Sequence, residues 1–119
     1  QIDANKWYME NIDAFLGGYF YNTQAKNIFS NTVTSYSVST HVGGAKNDIS
    51  TMVRGLDIPT LILVGEKNEH PLTTIDTAQK LNRLFLNSEL QQIKNCGHFM
   101  FAEAPIDFQN IVLNWIKQY

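Results

Sequence analysis

The run PTLILVG, Pro59 to Gly65, decides how the rest of the chain is read. Leu61, Ile62, Leu63 and Val64 are apolar in succession, without the alternation of a half-exposed strand and too few for a helix. A run this short, closed by a proline and a glycine, suits a strand buried on both faces, as in a parallel sheet. The polar loop EKNEHPL follows, and then Thr73 opens a predicted helix with Ile75, Ala78, Leu81, Leu84 and Phe85 on one face. Thr73 and Asp76 have the spacing of a capping box. SELQQI reads as a second, more polar strand, followed by the loop NCGH and a last helix. That helix has Pro105 near its first turn and turns Phe108, Ile111, Val112, Trp115 and Ile116 toward a core. Strand, helix, strand, helix implies a right-handed crossover and a parallel pair, hence an α/β fold. The first strand needs further neighbours that this chain does not clearly supply.

Upstream, the chain divides near Arg54 and Gly55. Tyr8, Ile12, Phe15, Leu16 and Tyr19 recur at spacings of three and four, which predicts one helix with a broad apolar face weakened at Gly17-Gly18. From Asn22 to Gly44 the text is rich in Asn, Thr, Ser and Gly, with isolated Ile28, Phe29, Val33, Tyr36 and Val38, and reads as short helices and loops. Asp48, Ile49, Met52 and Val53 predict another short helix ended by Gly55, after which LDIP restarts the chain in extended form.

Composition excludes several function classes. With 119 residues the chain is one domain by the usual prior, and 44% hydrophobic with 17% charged residues is ordinary for a globular protein. The net charge of -2 and the scatter of the nine Lys and Arg residues offer no patch for nucleic acid or an anionic membrane. No apolar run approaches the roughly 18 residues of a spanning helix, and the N-terminal QIDANKWYMENID lacks the basic and apolar regions of a signal peptide. Cys96 stands alone, so no intrachain disulfide forms; a reducing, cytoplasmic compartment is favoured and an extracellular one stays open. Cys96 itself reads as a small buried filler. His41 and His70 offer no metal-ligand spacing, and VGEKN lacks the glycine frame of a phosphate loop, so neither metal nor cofactor is implied.

In open α/β sheets the working residues lie just beyond the carboxyl ends of the strands. Two loops here have that place, GEKNEHP and NCGHFMF, so His98 and the Asn68-Glu69-His70 group are expected on one rim. A rim histidine acts as a general base when a partner orients one ring nitrogen and a nucleophile faces the other. The bland alternative carries equal weight: a histidine that bonds a backbone carbonyl in a loop. His70, before Pro71, reads as exposed.

These residues resemble the α/β-hydrolases, and specifically their C-terminal third. The resemblance lies in IPTLILVGEKN followed by NCGHFMFAEAPIDFQNIVLNWI, and it covers about Asp57 to Lys117. In that family a strand of the type I-P-T-L-x-x-x-G-E-x-D carries the catalytic acid in its following loop. The last strand is followed by G-H, whose histidine is the catalytic base, and then by E-x-P opening the closing helix. The resemblance implies that His98 is the base, that residues 1–54 are the end of a helical cap, and that 55–119 are the C-terminal part of the core.

Two departures from the family pattern matter. No G-x-S-x-G elbow occurs, and Ser30, Ser35, Ser37, Ser39, Ser50 and Ser88 lie in the wrong kind of segment for a nucleophile. The expectation is a piece of a longer polypeptide, inactive alone, whose exposed strand edges and helix faces pair with the missing N-terminal part of the same fold or with another copy. The second departure is Asn68, at the position of the family's acid. An amide accepts a hydrogen bond from imidazole but supplies no charge. Either the acid comes from the strand before the cap, or Glu69 turns in, or the protein binds a small molecule with little turnover. Glu103 and Pro105 read as architecture, through the helix dipole and the fixed first turn. Phe99, Met100 and Phe101 are divided between core and pocket, with Phe99 the candidate for contact with a small-molecule substrate. The substrate class the resemblance implies is a small apolar ester or a related acyl or carbon-halogen compound.

Overall fold

The computed structural model describes residues 3–33, 50–70 and 72–119. Expectations on Tyr36, Val38, His41, Gly43, Gly44, Asp48, Ile49, Pro71 and the serines at 35, 37 and 39 lie outside them. The elements are α1 (Ala4–Glu10), α2 (Ile12–Leu16), α3 (Thr23–Ser30), α4 (Ser50–Val53), β1 (Thr60–Gly65), α5 (Ile75–Asn82), β2 (Ser88–Ile93), α6 (Met100–Glu103) and α7 (Pro105–Ile116).

β1 and β2 pair in parallel, in register from Thr60 opposite Ser88 to Gly65 opposite Ile93. Two backbone bonds lead into the pair, Thr60 N to Asn87 O and Leu86 N to Leu56 O, and two run past its far end, Glu66 N to Ile93 O and Lys67 N to Cys96 O. The pairing therefore carries on beyond the strands and brings both C-terminal loops side by side. Ile62 and Val64 are buried against Ala78, with Ile75, Leu81 and Leu90 packed around them, so the apolar stripe of α5 covers one face of β1. Leu61 and Leu63 on the other face are only half-buried. The strand is closed on one face, rather than on both, among the described residues.

Three local readings change. The predicted single N-terminal helix is two, because Asn11 takes a non-helical conformation (φ -117°, ψ 22°). Both its backbone N–H and its side-chain Nδ2 bind the carbonyl of Trp7, and that competition for a helical acceptor ends α1. Helix α5 is capped by Thr74, whose hydroxyl accepts from Thr77 N, and not by Thr73; it also ends at Asn82, leaving Leu84 and Phe85 beyond it. On α7, Phe108, Ile111, Val112 and Trp115 are half-buried, whereas Ile116 is exposed. Gly55 ends the segment after α4 in the left-handed region (φ 79°), as expected of a glycine stop.

The end of β1 requires glycine for closeness. A Cβ on Gly65 would sit 2.0 Å from Gly97 O and 2.6 Å from Cys96 O, both backbone atoms. Gly65→Ala is therefore expected to push the two loops apart and cost about 2–4 kcal/mol, the upper range of overpacking effects. The urea midpoint checks this, and an unchanged midpoint would contradict the close approach.

Candidate active site

Beyond β2 the backbone turns at Asn95, the one non-glycine residue among those described with positive φ (55°), a conformation asparagine tolerates better than most. The Asn95 amide donates to Glu66 Oε2, which, with Lys67 alongside, holds the Glu66 carboxyl below its usual range. Cys96 follows, fully buried, its thiol donating to Ile93 O. Burial, with the Glu103 charge adding to it, pushes that thiol up to about 11. It is a packed filler, not a thiolate. Gly97 then lets the chain pass against another strand of backbone: a Cβ there would meet Tyr19 O at 2.6 Å and Tyr21 N at 2.9 Å.

The next residue is His98, half-buried. Its backbone N–H donates to Tyr19 O at 2.7 Å, and its Nδ1 lies 3.0 Å from Thr73 Oγ1. Nε2 has no hydrogen-bond partner among the described residues. The imidazole packs edge-on to Tyr19 (5.3 Å between centroids) and Phe99 (5.1 Å), and 5.3 Å from His70. Burial, with the neighbouring His70 adding to it, lowers the His98 pKa from the ordinary imidazole value. That shift favours the neutral ring, the form in which an imidazole can accept a proton.

The loop after β1 meets His98 from the other side. Asn68 Nδ2 donates to Thr73 O (2.7 Å) and to Thr73 Oγ1 (3.1 Å), while its Oδ1 accepts from the His70 amide (3.1 Å). Asn68 therefore reaches His98 through Thr73 and not directly. Glu69, the alternative acid, is exposed. His70 is half-buried and lies against Tyr19 at 4.8 Å, which corrects its reading as an exposed residue. Thr73, read from sequence as a helix cap, instead touches Asn68, His70 and His98. No spacing rule points to it; its contact with His98 joins two loops separated by a helix and a strand.

Glu103 is the other residue whose role is new. Its Oε2 accepts from Tyr21 N (2.8 Å) and Asn22 N (2.7 Å), and its Oε1 from Gly97 N (2.8 Å). It remains architecture, but by clamping the segment Tyr19–Asn22 onto the histidine loop instead of by the helix dipole. Phe99 lies in an aromatic cluster with Phe20 and Phe29, both at 4.9 Å. A groove of about 340 Å³ between α3 and α6 is lined by Ala25, Ile28, Phe29 and Glu103, among others; His98 does not line it.

No family model matches the chain, and no curated protein matches it. Solved structures do. MenH from S. aureus superposes with a TM-score of 0.56 at 28% identity, over 63% of this chain and 27% of that one. A serine hydrolase involved in carbazole degradation, the CarC enzyme, gives 0.58 at 25% identity, over 82% of this chain and 34% of that one. All of them are α/β-hydrolase folds. The chain carries part of an α/β-hydrolase fold. An esterase from Exiguobacterium antarcticum adds the same architecture, with a TM-score of 0.79 at 18% identity over 94% of this chain and 44% of that one. The chain thus spans less than half the length of these α/β-hydrolase structures. No helix among the described residues is long and apolar enough to cross a membrane.

The lowered His98 pKa has two consequences with a definite sign. The ring stays neutral to lower pH than a free imidazole does. The unfolded chain takes up a proton on His98 before the folded one does, so the contribution of His98 to stability is lost as pH falls from the ordinary imidazole value toward the folded one. Titration of the His98 ring by NMR checks both, and a midpoint at or above the free value would contradict them.

Proposed function

We propose that the chain supplies the base of a hydrolase, with His98 taking the proton of a nucleophile carried elsewhere in the same fold. The observation that carries this reading is the set of His98 contacts: Nδ1 engaged by Thr73 Oγ1, Nε2 without a partner among the described residues, and a ring kept neutral by burial. Such a ring has one nitrogen held and the other available, as proton transfer from a hydroxyl requires. On this reading residues 1–54 belong to a cap, and Tyr19 to Asn22 join it to the histidine loop. The substrate is a small ester or a related acyl or carbon-halogen compound enclosed beneath that cap, with Phe99 near it.

The chain's exposed Leu56, Ile58, Leu72, Leu86, Ile106 and Ile116 are covered, on the same reading, by the remainder of the fold. Hydrolysis of short-chain nitrophenyl esters by the full-length protein tests the proposal. If a nucleophile is absent from the position facing His98 Nε2, the hydrolase reading fails and the alternative, a small-molecule site with little turnover, takes its place.

A further inference from the structure

The hydrogen-bonding groups around His98 determine where its proton resides, provided fixed donors and acceptors are assigned first. The His70 amide can only donate and Thr73 O can only accept, so Asn68 Oδ1 faces the former and its Nδ2 the latter. The second Nδ2 hydrogen then goes to Thr73 Oγ1. On the far side, the Leu72 amide donates to His70 Nδ1 at 3.4 Å, which makes that nitrogen the unprotonated one of the His70 ring. Thr73 Oγ1 lies 3.3 Å from this acceptor and 3.0 Å from His98 Nδ1. A hydroxyl has one hydrogen and two lone pairs. One lone pair is occupied by Asn68; if the hydrogen goes to His70 Nδ1, in a three-centre bond that shares this nitrogen's single lone pair with the Leu72 amide, the remaining lone pair of Thr73 accepts a hydrogen bond from His98 Nδ1–H. The reverse arrangement, Thr73 donating to His98, turns an oxygen lone pair toward the His70 Nδ1 lone pair at 3.3 Å, which is repulsive.

We propose that Thr73, held between Asn68 and His70, is the positioning residue that fixes His98 as its Nδ1–H tautomer, in the place where a carboxylate would otherwise stand. The inference deepens the reading of His98 as a base and rests on it for its catalytic consequence, though not for its geometry. Thr73 supplies the orientation of a triad acid without its charge. The imidazolium that forms during proton transfer is consequently stabilised less than beside a carboxylate. Asn68, at the acid's position, acts as a clamp on Thr73.

The test is the tautomer itself, read from long-range ¹H–¹⁵N correlations of the full-length protein at a pH of about 8, above the ordinary imidazole range. The expected pattern is His98 protonated on Nδ1 and bare on Nε2, with His70 the opposite. Thr73→Val removes the acceptor and is expected to shift the His98 tautomer ratio at least about fivefold toward Nε2–H, the scale of one lost hydrogen bond, while Thr73→Ser keeps it. His98 protonated on Nε2 in the unmodified protein overturns the proposal without any variant. So does a folded Thr73→Val protein with an unchanged ratio. If Thr73→Val does not fold, His70→Phe takes its place: it frees the Thr73 hydrogen for His98 Nδ1 and is expected to move the ratio the same way, an unchanged ratio again overturning the proposal. In turnover, Thr73→Val is expected to lower kcat with KM little altered, and Thr73→Ser to restore it. The predicted tautomers in a protein that hydrolyses nothing would sink the hydrolase reading and leave the relay intact. Turnover with His98 protonated on Nε2 would do the reverse.

Discussion

Replacing His98 by Gln is expected to lower kcat/KM of the full-length protein by about 10⁴-fold or more, with KM changed little. The magnitude follows from the proposed role. A base that takes the nucleophile's proton acts only in the transition state, and its removal is felt in kcat, on the scale of removing one member of a nucleophile–base pair. Gln is the informative substitution because its amide is polar and close to the imidazole in length, yet it has no titrating nitrogen. Half-buried and bound to Tyr19 O through its backbone N–H, which the variant keeps, His98 contributes modestly to packing. Stability is therefore expected to stay within about 1 kcal/mol of the unmodified protein. Steady-state kinetics and a urea titration on the same preparation separate the two effects. A variant that retains activity within about tenfold would remove His98 from the chemistry, whatever the fold.

What could be read in the sequence and what could not divide along a physical line. The unalternating LILV run, its Pro and Gly boundaries and the amphipathic segment after it report local constraints on φ, ψ and burial; the parallel pair β1–β2 with α5 between them agrees with that reading, while burial on both faces does not hold among the described residues. The two rim loops follow from the same connectivity, and the hydrogen bond from Lys67 N to Cys96 O brings their tips together. The partner of His98 was not legible. Thr73 looked like a helix cap because hydroxyls cap helices, but Thr74 stands one residue closer to the first turn and does that work. That freed Thr73 to face the loop. His70 looked exposed because the residue beside it is a proline; the ring packs on Tyr19, which arrives from more than fifty residues upstream and cannot be anticipated by any window. The break at Asn11 is hidden for the opposite reason: a side chain competes locally with the helix where the apolar period runs straight through.

Glu103→Gln is expected to be the most destabilising polar substitution near the site, by about 2–4 kcal/mol, because charge-assisted bonds to backbone amides are worth more than neutral ones. The carboxylate accepts three backbone N–H groups at 2.7 to 2.8 Å, two on one oxygen and one on the other. A carboxamide has a single accepting oxygen. Whichever way it turns, its NH₂ confronts either the Gly97 amide or the Tyr21 and Asn22 amides, and a donor is left facing a donor. Gly97 is buried, so its orphaned N–H bears the desolvation cost in full, while Tyr21 and Asn22 are exposed and find water. That asymmetry predicts how the variant settles: the oxygen stays on Gly97, and the Tyr21–Asn22 side of the clamp opens. Hydrogen exchange is accordingly expected to accelerate at the Tyr21 and Asn22 amides and much less at Gly97. Since the His98 amide is bound to Tyr19 O, two residues from the opened contact, the histidine loop loosens with it and kcat falls about tenfold, far less than in His98→Gln. Glu103→Asp separates length from charge: it keeps both oxygens but is one methylene too short to bridge both sides, so it is expected to open the clamp as well. Unchanged exchange at Tyr21 and Asn22 in both variants would show that the segment is held by the aromatic packing of Tyr19 and Phe20 alone.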